Sequence, residues 1–348
     1  MKIESTIHYD FNNVLIRPKR TTISSRSEVN LEREFMFPYA KFTWKGIPII
    51  SSNMDTTGTF KIYDELSKFK IITCLTKFYN IEDYKKRFQH NPLNPDFFMI
   101  STGIEENSYD RLREIVTLTR AKWICVDVAN GYMERVVSYC KRLRELFPEQ
   151  IIVAGNVATR EIVEELIING KVDVVKIGIG PGSACLTRKK TGVGVPQLSA
   201  IMECADAAHG CRGFIIGDGG ITCPGDMAKA FGGGADFVMC GSVFAGHYEN
   251  PGEIIIDEKT DKKYKLFYGM SSKKAMETHY GKMETYRSSE GRELRIEIKG
   301  CIKDTVLDYL GGIRSTCAYI NAYKIKDISK CTTFLVVNQQ LNTYLVKN

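Results

Sequence analysis

Eight short apolar runs recur along the chain at nearly regular intervals, and this pattern limits the fold more than any other feature. The first residues of successive runs are separated by 24, 26, 26, 28, 23, 40 and 23 positions. Each run is almost continuously apolar rather than alternating, which is typical of parallel strands that are covered on both faces. The predicted strands are residues 47–53, 71–77, 97–103, 123–129, 151–158, 174–180, 214–220 and 237–243.

Amphipathic segments lie between these runs. In residues 133–147, the side chains of Val136, Cys140 and Leu143 fall on one helical face, and residues 161–169 repeat the pattern. Strand–helix repeats with this period close most economically as a (β/α)8 barrel, an α/β fold of the TIM type. A doubly wound parallel sheet is the alternative fold.

The chain is long enough for one large barrel, and no change in composition marks a second domain. We expect an N-terminal arm at 1–46, a barrel core at 47–320 and a C-terminal segment at 321–348. The loops after the sixth and eighth strands are extended, and loops at this end of a barrel carry the chemistry. After the eighth strand we predict a hairpin around residues 257–263 and a last helix at 303–310.

Charge and cysteine content narrow the class of protein. The 48 basic and 41 acidic residues leave a net charge of +7, and the lysine doublets are scattered, so a small anionic ligand suits the chain better than nucleic acid. The 11 cysteines form no zinc-type spacing with the five histidines, which indicates free thiols in a reducing compartment. Without a signal-peptide core or a membrane-length apolar run, the expected location is cytoplasmic and away from membranes.

Glycine-rich turns follow the seventh and eighth strands. Asp218, Gly219 and Gly220 end the seventh, and Gly241 and Ser242 end the eighth. In barrels this pair of loops commonly holds phosphate, because glycine lets N–H groups approach the anion and a short helix N-terminus favours negative charge. Asp218 would then face ribose hydroxyls, since it would repel phosphate. The alternative is that these glycines only form tight turns.

Cys185 lies in the longest strand-to-helix loop. It follows Gly180, Gly182 and Ser183, and Arg188 comes three residues later. A structural thiol normally has apolar neighbours, whereas N–H groups and a nearby cation favour the nucleophilic thiolate. Cys185 is therefore a candidate nucleophile. The alternative is that its side chain simply packs in the core.

Two further residues carry groups suited to proton transfer. Thr187 follows Cys185 by two positions and could relay a proton, or it could simply bond within the loop. Glu290 precedes Gly291 and is a candidate proton acceptor, or a solvated surface residue.

Four segments in chain order, residues 180–188, 217–220, 268–272 and 286–291, together resemble the IMP dehydrogenase and GMP reductase family. The resemblance covers essentially the whole chain. Dehydrogenases of this family usually carry CBS modules after strand two, but here the second and third strands begin only 26 residues apart. The Arg-Tyr pair of the dehydrogenase flap is also absent from the sequence. The chain therefore resembles the reductase branch more closely.

The resemblance implies the conversion of GMP and NADPH to IMP, ammonia and NADP. The Cys185 thiolate would add to purine C2, and Thr187 with Glu290 would deliver a proton to the departing amino group. Hydride would then reach C2 of the covalent thioimidate, and the thiolate would leave. An IMP dehydrogenase without CBS modules and a catalytically silent nucleotide-binding barrel remain as alternatives.

The resemblance also implies two sets of binding residues. The expected GMP contacts are Asp218, Gly219, Gly220, Gly241, Ser242, Gly269, Met270, Ser271, Arg287, Ser288, Ser289, Glu290 and Gly291. The expected cofactor contacts are Ser25, Arg26, Lys77, Asp127, Val128, Ala129, Gly180, Pro181, Met270, Tyr286, Arg287, Ser315, Thr316, Cys317 and Ala318. Ser25 and Arg26 would come from a neighbouring subunit, which implies a homo-oligomer, in this family typically a tetramer.

A potassium ion is a further implied ligand. The resemblance places it on the backbone carbonyls of Gly180, Gly182 and Cys185, with Arg188 in the same loop. Backbone oxygens are suitable hard ligands for such an ion.

Three positions depart from the family pattern without removing a catalytic group. Thr76 stands where reductases often have histidine, Ser242 where a second glycine is common, and Leu186 where threonine is usual. The choice of NADPH over NADH rests on the analogy and on the basic residues Arg26 and Lys77.

Overall fold

The computed structural model describes residues 1–282 and 288–338. The strands of these residues are β1 Val14–Ile16, β2 Arg33–Met36, β3 Thr43–Gly46, β4 Ile49–Ser51, β5 Ile72–Leu75, β6 Phe98–Thr102, β7 Trp123–Asp127, β8 Ile151–Val157, β9 Val174–Ile177, β10 Phe214–Asp218, β11 Phe237–Cys240, β12 Ile255–Ile256, β13 Lys263–Tyr268, β14 Glu293–Glu297 and β15 Phe334–Val336. The helices are α1 Phe60–Leu66, α2 Ile81–His90, α3 Ser108–Thr119, α4 Glu134–Leu146, α5 Arg160–Ile168, α6 Thr187–Thr191, α7 Gln197–Gly210, α8 Pro224–Gly232, α9 Lys273–Tyr280, α10 Ile302–Ile320 and α11 Ile328–Cys331. Short 3-10 helices occupy Phe11–Asn13, Arg26–Glu28, Ser67–Phe69, Ser242–Phe244 and Ile325–Asp327.

Strands β4 to β11 close into a parallel barrel in which β11 pairs with β4. Each of these strands lies inside one of the eight predicted runs, so the predicted (β/α)8 barrel is confirmed. The helices between them bury one face, as α4 does with Val136, Tyr139, Cys140 and Leu143. The core therefore has two layers, one inside the barrel and one between the strands and the helices.

The β2–β3 hairpin plugs one end of the barrel. Phe35 stacks on Phe237 with 4.3 Å between ring centroids, and Trp44 meets Trp123 edge-on at 5.9 Å. Trp123 and Phe237 are the first residues of β7 and β11, so the plug covers the N-terminal end of the barrel. The loops that follow the strands gather at the opposite end.

The region after β11 differs in part from the sequence-based expectation. The predicted hairpin is present as β12 and β13, but β14 adds a third strand whose half-buried Leu294 and Ile296 alternate with charged residues. Helix α10 also continues past the predicted end at residue 310 to Ile320. Gly312 lies inside this longer helix and permits close packing, because a side chain there would collide with Pro224 of α8.

The two ends of the described chain meet outside the barrel, where β1 pairs with β15. The division into an arm, a barrel core and a C-terminal segment stays a prediction. In the part of the chain that the structure describes, no helix combines the length and apolar character of a membrane span. All 11 cysteines are free thiols.

Candidate active site

Backbone hydrogen bonds join the loop that carries Cys185 to the segment that leads into β14. The Arg292 N–H donates to the carbonyl of Ala184 at 2.9 Å, and the Leu186 N–H donates to the carbonyl of Glu290 at 2.6 Å. Gly291 faces Cys185 in an antiparallel bridge. These bonds hold Glu290 beside a loop that lies about a hundred residues earlier in the sequence.

Cys185, Thr187 and Glu290 form a continuous hydrogen-bonded chain. The Cys185 thiol donates to Oγ1 of Thr187 at 3.3 Å, and the Thr187 hydroxyl donates to Oε2 of Glu290 at 2.7 Å. All three residues are half-buried. A thiol, a hydroxyl and a carboxylate in this order can move a proton between sulfur and the carboxylate. The structure thus brings together the three residues that the sequence analysis selected for catalysis.

The two glycine turns lie side by side, because β10 and β11 are paired neighbours. Gly219 and Gly220 have φ angles of +89° and +80°, which favour glycine. Ser242 begins the short 3-10 helix that follows the eighth barrel strand. Adjacent glycine turns and a short helix at this position form the arrangement with which barrels commonly bind phosphate.

A buried lysine lies between two of the predicted binding residues. Lys176 of β9 donates to Oδ1 of Asp127 at 2.6 Å and to Oδ2 of Asp218 at 3.0 Å. Asn156 also donates to Asp218, at 2.9 Å. The sequence analysis missed Lys176, although a single lysine inside an otherwise apolar strand was a signal. Lys176 thus connects Asp218, which is predicted to bind the ribose, to Asp127, which is predicted to contact the cofactor.

The charges in this cluster stabilise one another. Burial disfavours the charge of Lys176, but Asp127 and Asp218 more than offset it and hold its pKa well above the ordinary value. Burial also opposes ionisation of Asp127, yet Lys176, followed by Lys77, keeps its pKa below the ordinary value. The barrel mouth therefore contains an ionised pair of Lys176 and Asp127 at neutral pH.

Replacing Lys176 by methionine should lower the free energy of unfolding by about 3 kcal/mol, because two partly buried carboxylates lose their shared cation. Urea denaturation measures the change. The matched control is Lys41→Met, which removes only an exposed ion pair with Glu149 and should cost less than about 1 kcal/mol. Equal losses in the two variants would contradict this assignment.

Several other predicted residues also lie at the barrel mouth. Lys77 follows β5, close enough to Asp127 for its charge to lower the pKa of that carboxyl group. Gly180 and Pro181 precede Cys185 in its loop. Gly269 packs so closely that an added Cβ would lie 2.8 Å from the carbonyl oxygen of Ala184.

Six predicted cofactor residues, Ser25, Arg26 and residues 315–318, lie on the outside of the barrel. Ser25 caps the Arg26–Glu28 helix of the arm, which packs against α10. Ser315 and Thr316 of α10 donate to carbonyls of their own helix, and the Cys317 side chain is fully buried in the core. Among the described residues of one chain, the predicted cofactor contacts therefore form two separate groups, one at the barrel mouth and one on the outside of the barrel.

The predicted contacts Tyr286 and Arg287 lie outside the described residues. Next to them, Ser288 is exposed and the Ser289 hydroxyl donates to the carbonyl of Gly291 at 2.9 Å.

The donor chemistry of the Cys185 loop fits a monovalent cation. The carbonyl of Gly182 accepts the Cys185 N–H at 2.9 Å, and that of Arg188 accepts the Gly192 N–H at 3.2 Å. Each carbonyl oxygen keeps a second lone pair for an ion. The Arg188 guanidinium instead pairs with Asp10 at 2.9 Å. Within residues 1–282 and 288–338, no cluster of three or more His, Cys, Asp or Glu side chains is arranged for a metal.

The fold and the site together define a (β/α)8-barrel protein. At one end of its barrel lie a cysteine-bearing loop and two adjacent glycine turns of the kind that commonly bind phosphate. The chain belongs to the IMP dehydrogenase and GMP reductase family, since the model of the IMP dehydrogenase / GMP reductase domain matches residues 8–342. It is 52% identical over 341 residues to GMP reductase 2 of Homo sapiens, which covers 98% of this chain and 97% of that protein. It is also 49% identical over 352 residues to GMP reductase of Yersinia enterocolitica, which covers 100% of both chains. The resemblance drawn from the four sequence segments is thereby confirmed.

Proposed function

We propose that the protein is a GMP reductase, an oxidoreductase that converts GMP and NADPH to IMP, ammonia and NADP. The observation that carries this proposal is the Cys185–Thr187–Glu290 chain of hydrogen bonds. Its support also includes the phosphate-type turns nearby and the names of relatives about half identical over nearly the full length.

The proposed position of GMP follows from the chemistry of the mouth. The phosphate binds at Gly219–Gly220 and Gly241–Ser242, where backbone N–H groups suit an anion. The Asp218 carboxylate, fixed by Lys176 and Asn156, accepts hydrogen bonds from ribose hydroxyls. The guanine ring then extends towards Cys185 and meets residues 269–271 and 288–291, with Arg287 as a further proposed contact.

In the proposed first step, a bond forms between Cys185 Sγ and purine C2. The thiol proton passes through the Thr187 hydroxyl to the Glu290 carboxylate. The bond from C2 to the exocyclic nitrogen then breaks, and the same chain returns the proton to that nitrogen, which leaves as ammonia. A thioimidate remains on Cys185.

The nicotinamide cofactor supplies a hydride to C2 when it is bound, and the bond between sulfur and C2 then breaks to release IMP. The proposed cofactor contacts near the barrel mouth are Lys77, Asp127, Val128, Ala129, Gly180, Pro181, Met270, Tyr286 and Arg287. The sulfur leaves as a thiolate, and one proton from water, passed on by the Glu290 carboxylate and the Thr187 hydroxyl, restores the thiol.

We also propose that a second copy of the chain completes the cofactor site. Ser25 and Arg26 lie in the arm, outside the barrel, so the arm of a neighbouring chain is the proposed source of these two contacts in a homo-oligomer, which we propose is a tetramer. Residues 315–318, on α10 beside the arm, are the other proposed contacts of this group. The basic Arg26 and Lys77 favour NADPH over NADH. We further propose that potassium binds to the backbone carbonyls of Gly180, Gly182, Cys185 and Arg188. The free thiols favour a cytoplasmic location.

An assay with GMP and NADPH tests the function. The proposal predicts loss of reduced-nicotinamide absorbance with release of one ammonia per IMP, and slower turnover when sodium replaces potassium. Turnover of IMP with NAD but none of GMP would identify a dehydrogenase. Binding of GMP without any turnover would identify a catalytically silent barrel.

A further inference from the structure

Helix α9 connects two groups of residues that we assign to GMP, residues 269–271 before it and residues 288–291 after it. Only Ala275 is buried among its eight residues. A helix this short is marginal by itself, and most helices gain their position from a buried apolar face. Specific contacts of individual side chains therefore fix the position of α9, rather than a buried apolar face.

Asp55, just after the first barrel strand, supplies such contacts at both ends of the segment. Its Oδ2 accepts the Tyr268 hydroxyl at 2.9 Å and lies 2.6 Å from Nε2 of His279. Tyr268 ends β13, and His279 is in the last turn of α9. The Asp55 and His279 side chains are only 13% and 15% exposed, so the pair is largely shielded from water. One carboxylate oxygen thus holds both the start and the end of this stretch of chain.

The loop after β5 reinforces the same contact. The Phe78 ring stacks on His279, and the Thr76 hydroxyl donates to Oδ1 of Asp55 at 3.4 Å. Thr76 and Phe78 flank Lys77, which we assign to the cofactor. Asp55 therefore joins α9 to the cofactor loop as well as to the barrel.

We propose that Asp55 and His279 are positioning residues that hold residues 268–280 over the guanine ring and align them with Lys77. The identity of the ligand in this proposal rests on the proposed function. Neither side chain contacts the substrate. Without this pair, the segment also adopts positions in which it cannot bind GMP. The apparent affinity for GMP then falls in proportion to the fraction of molecules in which the segment is correctly placed.

Calorimetric binding of GMP to Asp55→Ala and His279→Ala tests the proposal. Each variant should bind GMP about tenfold more weakly, the size expected for the loss of a hydrogen bond to a charged group. The double variant should bind GMP less than a hundredfold more weakly than the wild type, because the two changes share the Asp55–His279 contact and their effects do not add. His279→Gln, whose side-chain N–H can still reach Asp55, should restore binding to within about threefold.

Two further variants make the test independent of folding defects. Tyr268→Phe keeps the ring but removes one of the two bonds to Oδ2, and it should weaken GMP binding by about threefold. Glu277→Gln removes only an exposed ion pair with Lys273 on the same helix and should bind like the wild type. Normal GMP binding by the alanine variants, with a lower Tm as the only change, would overturn the positioning role. Wild-type protein that does not bind GMP would overturn the proposed function instead.

Discussion

The Cys185→Ser variant should turn over GMP at least about 10⁴-fold more slowly than the wild type while binding GMP within a few-fold. A serine hydroxyl is not ionised at neutral pH and is a far weaker nucleophile than a thiolate. The backbone bonds of the loop run through the neighbouring residues Ala184 and Leu186 and remain in the variant. Steady-state absorbance measures the rate, and calorimetry measures the binding.

Cys301→Ser is the matched control, because Cys301 is an exposed free thiol at the start of α10. This variant should keep wild-type turnover. If Cys185→Ser retained more than a tenth of the wild-type rate, Cys185 would not be the nucleophile.

Glu290→Gln should lower kcat by about 10²- to 10⁴-fold and should change KM for GMP much less, because glutamine keeps the size and the side-chain oxygen that Glu290 offers to GMP. The glutamine amide cannot take the proton that Thr187 passes on, so neither thiolate formation nor ammonia departure is assisted. Its size preserves the fold of the loop, and the bond from the Leu186 N–H goes to the backbone carbonyl of residue 290, which is unchanged. Steady-state kinetics with varied GMP separates the two constants.

Glu293→Gln provides the comparison for this prediction. Glu293 is exposed, three residues further along the same segment. It should be kinetically silent. The same kcat in the two glutamine variants would show that the proton goes elsewhere.

The barrel was predictable because its signal is repeated eight times in local sequence. Continuous apolar runs at a regular spacing leave few folds open, and each of the eight barrel strands falls inside a predicted run. Strand β14 was missed because it is short and strongly charged, and its pairing with β13 depends on tertiary context.

The site was predictable where the signal was local. Cys185 could be selected from the unusual composition of its loop. Its link to Glu290 passes through Thr187, which lies 103 positions before Glu290, so only the family resemblance predicted it. Lys176 was missed because its partners lie on two other strands and meet it only when the barrel closes. The contact of Asp55 with His279 joins residues 224 positions apart and carries no local signal at all.

Mass spectrometry of the acid-quenched enzyme tests the central claim most directly. Enzyme mixed with GMP and NADPH and quenched during a single turnover should yield a Cys185 peptide that carries the purine nucleotide without its exocyclic nitrogen. Rapid formation of IMP with the Cys185 peptide unmodified at every quench time would contradict the account.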